Sequence, residues 1–347
     1  MAKKRYRVAQ WATGVTGATA LKAIIHHPQY DLVGVKTYSD AKSGLDAGEL
    51  CGTPATGIIA TKSIEDIIAA KPDCVLYMPH ETEYDVVCRL LESGINIVTT
   101  RWEFNNRDTL TPEIRCEVDA ACEKGQASIY ATGSTPGYST EILPLAFTSI
   151  MRRIDCITLT ESSGSMAARN SPEMLFEING FGKDPATMPP SGSHVTSQST
   201  PPSLRTTAAA LGMPLDDVIC THEYALTRNR KELLAGTIEA GTIGAMRMEI
   251  AGIRNGKKVI RRLTEWWVTD DVEPAWDLKP SGWHYLIEGD TPLEVKISFP
   301  VAKEYYPIFV GNLGANTSVN AIPYVVDAAP GIRHTNELPA IIGNFGL

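Results

Sequence analysis

One short segment constrains this chain more than any other. Residues 7–11, Arg-Val-Ala-Gln-Trp, read as an apolar strand, and residues 12–17, Ala-Thr-Gly-Val-Thr-Gly, as a tight turn. From 16 to 27 apolar residues then recur at helical spacing. A strand that turns through small residues into a helix is the opening unit of a parallel α/β sheet. Small residues let the backbone approach a pyrophosphate, and the helix N-terminus offers amides and partial positive charge. Thr13, Gly14, Val15, Thr16 and Gly17 are therefore the candidate phosphate-binding residues. The first glycine of the dinucleotide pattern is replaced by Ala12, which has less backbone freedom but still permits a tight turn.

The rest of the chain extends this reading. Strand patterns at 32–35, 57–60, 73–78, 95–99 and 127–131 alternate with helical patterns at 63–70, before Gly94 and at 112–124. Ser63 is placed as an N-cap, with Asp66 at the third helical position. Strands alternating with helices predict a doubly wound parallel sheet with right-handed crossovers. Residues 1–150 are thus expected to form a Rossmann-type NAD(P)-binding domain. The second half has another rhythm: strands at 156–163, 218–227, 284–288 and 294–299, and a hairpin of 246–254 with 258–268 around Asn255-Gly256. Residues 185–203, rich in Pro, Ser, Thr and Gly, read as a long loop. The expectation for 151–315 is an α+β domain with a mostly antiparallel sheet, serving substrate binding and dimerisation. A helix over about 316–347 is expected to pack back on the first domain.

Composition removes several function classes. A length of 347 residues suits two domains, and 43% hydrophobic with 21% charged residues is ordinary globular usage. A net charge of −8 argues against a nucleic-acid partner. No apolar run approaches the roughly 20 residues of a membrane-spanning helix. The basic start carries no cleavage pattern, and seven cysteines without a CxxC pair do not suit a disulfide framework. The expected location is cytoplasmic. Histidines are scattered without ligand spacing, so no metal site is expected.

Ligands of a parallel sheet bind beyond the carboxyl ends of its strands. After the second strand, an acidic residue would bond the ribose hydroxyls of NAD. Here Lys36-Thr37-Tyr38-Ser39 holds that place, with Asp40 just past it and Lys42 beyond. An acid at the strand tip would repel a 2′-phosphate, whereas Ser39 and a lysine would bind one, which favours NADP over NAD. Met78 and Pro79 follow the fourth strand, Thr100 the fifth and Gly133 the sixth, all positioned to hold backbone near a nicotinamide. Glu103 is the sole carboxylate of the fifth-strand loop, placed to exchange a proton while hydride moves. Candidate substrate walls are Met174, Leu175 and Phe176, with Thr135 and the pair Trp266-Trp267, although an apolar run at helical spacing is more often core. Trp266, Trp267 and Trp276 also suggest a surface that two-fold pairing would bury, giving a homodimer.

The opening motif, together with residues 27–35, the stretch Thr132-Gly-Ser-Thr-Pro-Gly137, and Asn320-Ala-Ile-Pro323 with Pro330-Gly331, resembles the dihydrodipicolinate-reductase-like superfamily. More narrowly it resembles the branch of 2,4-diaminopentanoate dehydrogenase and native amine dehydrogenases. The resemblance implies reversible oxidative deamination of a small primary amine to a ketone or aldehyde, with NAD(P) and Glu103 as acid/base. It also implies a cofactor contact at Asn320. The histidine-rich signature of the reductases that name the superfamily is missing; the middle region reads Ser162-Ser-Gly-Ser-Met-Ala-Ala-Arg169. Alternatives are a related C=N or C=O reductase and a non-catalytic NADP sensor.

Overall fold

The alternating pattern at the start of the chain folds as alternating strands and helices. In this computed structural model, which describes residues 4–164, 166, 172–191 and 194–344, the chain opens with β1 (Tyr6–Trp11), α1 (Val15–His26), β2 (Tyr30–Lys36), α2 (Ala47–Cys51) and β3 (Ala60–Thr61). There follow α3 (Ile64–Ala69), β4 (Cys74–Tyr77), α4 (Tyr84–Glu92), β5 (Asn96–Thr99), α5 (Pro112–Gly125) and β6 (Ser128–Ala131). Then come α6 (Leu143–Thr148), β7 (Ile154–Ser163), α7 (Val195–Ala210), β8 (Asp217–Thr227), β9 (Lys231–Leu233), β10 (Gly236–Ile238), β11 (Ile243–Arg254) and β12 (Lys257–Trp267). β13 (Val272–Glu273), β14 (Gly282–Gly289), β15 (Leu293–Ile297), α8 (Tyr306–Val326) and β16 (Gly331–Arg333) complete the order. Two compact units result: Met1–Tyr138 with Val310–Leu347, and Ser139–Phe309.

The first unit holds a seven-stranded sheet of order β16-β6-β5-β4-β1-β2-β3, parallel throughout. Order 3-2-1-4-5-6 is that of the doubly wound dinucleotide fold, whose strand order reverses between β1 and β4. Successive residues of the inner strands feed opposite faces. Val8, Leu76, Val98 and Tyr130 pack with Ala20 and Ile24 of α1 and with Val319 and Ile322 of α8. Ala9, Val75, Ile97 and Ile129 pack with Ile67, Leu90, Leu91 and Val118 from α3, α4 and α5. Burial on both faces explains why these strands read as continuous apolar runs. Local signals hold as well: the Ser63 hydroxyl accepts the Asp66 amide and caps α3.

The second unit carries a mixed sheet of order β13-β8-β11-β12-β7-β14-β15, antiparallel except between β12 and β7. Asn255 and Gly256 both take positive φ, 52° and 73°, and close the β11–β12 hairpin. Leu204 and Ala208 of α7 pack on Ile157, Met248, Ile250, Ile260 and Ile287 of one sheet face.

Two sequence expectations need correction. Residues 185–203 are not one long loop: after a short turn at Pro185–Thr187, the helix α7 begins at Val195 and runs through Pro201 and Pro202. Two prolines remove two helical N–H groups, but burial overrides the local preference. Thr200, Ser203 and Thr207 face inward, where Thr200 takes a hydrogen bond from Arg262, and Ser203 and Thr207 pair with Thr140. The last helix also starts about ten residues before 316, at Tyr306, and ends at Val326. Of the stretch Ser162–Arg169, Ser165 and residues 167–169 lie outside the described residues.

Candidate active site

The dinucleotide-type turn is built from below. Gln10, fully buried, donates through Nε2 to the Ala12 carbonyl at 2.9 Å. Ala12 adopts φ +70°, the left-handed conformation that a glycine would take more cheaply. A Cβ at Gly17 would lie 2.2 Å from the Ala12 oxygen, so that position admits only glycine. At Gly14 the reverse holds: a Cβ would meet nothing within 4 Å, and α1 opens there without a side-chain cap. Val15 beside it is 79% exposed. An uncapped helix N-terminus facing open space fits an anionic phosphate. Lys42 closes the turn's other side, its Nζ 2.7 Å from the Thr13 carbonyl.

At the tip of β2, Lys36 is buried with its Nζ 3.3 Å from the Tyr38 ring centroid and 4.9 Å from that of Trp11. Burial pushes its ammonium below the usual lysine range. The Tyr38 hydroxyl accepts from Trp11 Nε1 at 3.0 Å and donates to Glu83. Ser39 is exposed, and Asp40 is paired with Lys62 at 2.6 Å.

Glu103 sits on a short 3₁₀ turn, Trp102–Asn105, just past β5. Buried Phe104 and Asn105 anchor that turn, Asn105 donating to the Ala131 carbonyl at the end of β6. Glu103 Oε1 accepts from Arg101 Nη2 at 2.5 Å and from Thr82 Oγ1 at 3.1 Å. Its Oε2 is buried and has no partner among the described residues. Nearby in the topology, Met78 and Pro79 end β4 in buried positions, and the Thr132 amide bonds the Thr99 carbonyl at 2.9 Å. Thr132 Oγ1 is also buried without a partner among the described residues. Gly137, at φ +117°, lies against Thr132, so that a Cβ there would stand 3.0 Å from its hydroxyl.

A second set of buried polar groups lies inside the other unit, beneath the start of α7. His194 caps α7 by accepting the Thr196 amide at Nδ1, 3.1 Å away. Burial pushes this histidine down to about 4, so its ring is neutral and the proton resides on Nε2. That Nε2 is buried, and the Ile178 backbone is the hydrogen-bonding group acting on this ring. Arg262, 3% exposed, donates to Glu161 and Thr200, each at 3.1 Å, while Trp266 Nε1 donates to the other Glu161 oxygen. Strand register sets His222, Met248, Thr264 and Glu161 in one row across β8, β11, β12 and β7.

Comparison with known proteins decides the family. The model of the 2,4-diaminopentanoate dehydrogenase C-terminal domain matches residues 192–346. An amine dehydrogenase of Streptomyces virginiae is 30% identical over 357 aligned residues, covering 97% of each chain. The chain belongs to the amine dehydrogenase family. It is accordingly an oxidoreductase. The 2,4-diaminopentanoate dehydrogenase of Acetoanaerobium sticklandii is 22% identical over 298 residues, 82% of this chain and 79% of that one. In fold, the structure of an amine dehydrogenase from Mycobacterium smegmatis superposes with a TM-score of 0.71 at 17% identity, over 98% of this chain and 97% of that one.

For a member of the amine dehydrogenase family, the sequence-predicted residues fall into four places. Thr13–Gly17, Ser39 and Lys42 gather at the ends of β1 and β2; Met78, Pro79, Thr100, Glu103, Gly133 and Thr135 gather past β4, β5 and β6. Asn320 is half-buried in α8, next to Val319, whose carbonyl accepts the Tyr30 hydroxyl at the opposite end of β2 from Ser39. Met174, Leu175 and Phe176 lie in the second unit on a π-helical turn, Glu173–Ile178. Leu175 there is fully buried among Phe181, Ile238 and Met246. Trp267 and Trp276 pack on Ala225, Ala245 and Val272 of the same unit. Sequence reasoning missed Gln10, Thr82 and Arg101. The available signal for Arg101 was its place two residues before Glu103.

Proposed function

We propose that this chain oxidises a small primary amine to a ketone or aldehyde with NADP⁺, and in reverse aminates the carbonyl compound with ammonia. The observation that carries the reading is Glu103 Oε2: a carboxylate oxygen buried without a partner among the described residues, on the loop past the strand adjoining the β1–β4 reversal. The relatives named amine dehydrogenase and 2,4-diaminopentanoate dehydrogenase support it.

The turn Thr13–Gly17 would hold the pyrophosphate through its amides, with Gly14 leaving room. Ser39 and Lys42 would stand near the adenosine ribose and favour a 2′-phosphate, with Asp40 between them paired to Lys62. Met78, Pro79, Thr100 and Gly133 would line the nicotinamide side. The bound nicotinamide supplies hydride-acceptor chemistry. Glu103 does the rest: its carboxylate takes the proton from the amine nitrogen, stabilises the iminium charge, and passes protons to and from the carbinolamine formed with water. In the reverse direction the same group deprotonates ammonia and protonates the departing hydroxyl.

The test is a spectrophotometric scan of ketones and aldehydes with ammonia and NADPH, using the wild type and Glu103→Ala. The expected result is turnover on small carbonyl substrates, reduced by roughly 10²–10⁴-fold in the variant, the range of general acid–base groups. No turnover with any carbonyl compound, alongside tight NADPH binding, would favour the redox sensor instead. We infer in addition a homodimer. The sheet face of the second unit opposite α7 exposes Ile219 and Leu286, a surface a second copy would cover. Light scattering at micromolar concentration is expected to give twice the chain mass, and a monomer mass would remove this inference.

A further inference from the structure

We propose that Arg101, together with Thr82, is the positioning device that decides which oxygen of Glu103 transfers the proton. This rests on the acid–base role of Glu103. Arg101 leaves β5 with its backbone amide bonded to Thr99 Oγ1 at 3.0 Å, and Thr99 in turn donates to the Tyr77 carbonyl at 2.6 Å. Its guanidinium is then held at three points: Nη1 on the His80 carbonyl, Nε on Thr82 Oγ1 at 3.1 Å, and Nη2 on Glu103 Oε1. Because Thr82 Oγ1 accepts the Arg101 Nε–H, its own proton is directed at Glu103 Oε1. The three side chains form a closed ring of hydrogen bonds.

The consequence is an asymmetric carboxylate. Oε1 receives two donors, one of them cationic, while Oε2 receives none among the described residues. The two side chains are 16% and 15% exposed, so solvent screens this pair far less than the surface pairs elsewhere on the chain. The two donors immobilise one oxygen. The lone pairs left to accept a proton are those of Oε2. Arg101 thus aims the base, without itself reaching the reacting atoms.

Thr82 extends the arrangement to the loop between β4 and α4. Glu83, next in the chain, accepts the Tyr38 hydroxyl, and its amide bonds the Tyr77 hydroxyl at 3.0 Å. Thr82 is therefore fixed from both the β2 tip and β4. A threonine held this way presents its hydroxyl at one angle, as a hydrogen-bonded support of a reacting group must.

The test compares Arg101→Met, Arg101→Lys and Thr82→Val with Glu103→Ala in amine oxidation. Arg101→Met is expected to keep NADP⁺ affinity and amine KM within about threefold and to lose kcat by roughly 10–100-fold, the scale of a misoriented general base. Arg101→Lys should not restore kcat, since it returns the charge without the fork that holds Thr82 and Glu103 together. Thr82→Val, which keeps shape and fold, should lose kcat several-fold and so carries the test if Arg101→Met fails to fold. The double variant Glu103→Ala/Arg101→Met should be no slower than Glu103→Ala alone. Wild-type kcat in both Arg101→Met and Thr82→Val, with Glu103→Ala still inactive, would overturn the proposal. Full activity in Glu103→Ala would instead remove the acid–base reading beneath it.

Discussion

The two units hold their buried polar groups in different ways. In the first, Glu103, Arg101 and Thr82 sit on loops past strand ends, each tied to backbone or to a neighbouring loop. In the second, Arg262 and Glu161 sit on a sheet face beneath α7, and His194 caps the start of that helix. The contrast follows from sheet topology. A parallel sheet sends every strand's carboxyl end to the same edge, so the loops after β1, β2, β4, β5 and β6 converge whatever their length. A mostly antiparallel sheet alternates its strand ends. Its polar residues meet only by register, as His222, Met248, Thr264 and Glu161 do across four strands. Chemistry in the first unit is therefore placed by topology, and in the second by pairing.

That contrast can be broken first at the dinucleotide turn. Gly17→Val should drive a side chain into the Ala12 carbonyl, 2.2 Å from the new Cβ, and distort the turn itself. A Cβ at Gly14 meets no protein atom within 4 Å, so the melting temperature of Gly14→Val should stay close to wild type. Both should weaken NADP⁺ binding by about 100-fold or more, since either closes the approach of the backbone to the pyrophosphate. Calorimetric titration that finds wild-type affinity in Gly14→Val would contradict the assignment of that space to the cofactor.

A smaller effect is expected at the β2 tip. Ser39→Asp places a carboxylate where the 2′-phosphate would lie, and should shift the ratio of kcat/KM for NADP⁺ over NAD⁺ downward by about tenfold or more. An unmoved ratio would place the specificity elsewhere.

The smallest effect belongs to the second unit and concerns stability. His194 titrates near 4 in the folded chain against 6.5 when unfolded, chiefly because burial disfavours its charge. The unfolded chain binds the proton more readily, so the stability that neutral His194 contributes is full above pH 6.5 and declines as pH falls toward 4. The loss is at most about 3 kcal/mol over that window. Melting curves at several pH values should therefore show a shallower acid decline in His194→Asn, which keeps an N-cap acceptor without a group to protonate. Parallel declines in both proteins would show that His194 does not drive it.

How much of this was legible in the chain follows the same division. The turn at 12–17, the N-cap Ser63 and the hairpin at Asn255-Gly256 are local signals, and each folds as read. Ala12 departs from the glycine pattern yet takes the glycine's conformation, supported by Gln10, a buried side chain that no local pattern announces. Glu103 was visible because a parallel sheet predicts where its loop must end. The ring through Arg101 and Thr82 was not, since it joins loops 19 residues apart. α7 was hidden by Pro201 and Pro202 and by hydroxyls that read as solvent-facing, whereas they face the sheet and pair there. Nothing in spacing alone could bring His194 to the same region as Arg262 and Glu161.

The account stands on the proton carried by Glu103, and its most direct test is a pair of pH–rate profiles for amine oxidation, wild type against Glu103→Gln. Gln keeps the size of the side chain and can still accept from Arg101 and Thr82, but it cannot take up a proton. The expected result is a wild-type rate that rises through an ionisation on the acid side, and a variant that binds NADP⁺ normally, turns over roughly 10²–10⁴-fold more slowly and lacks that ionisation. A Glu103→Gln variant with wild-type turnover and the same acid limb would contradict the claim.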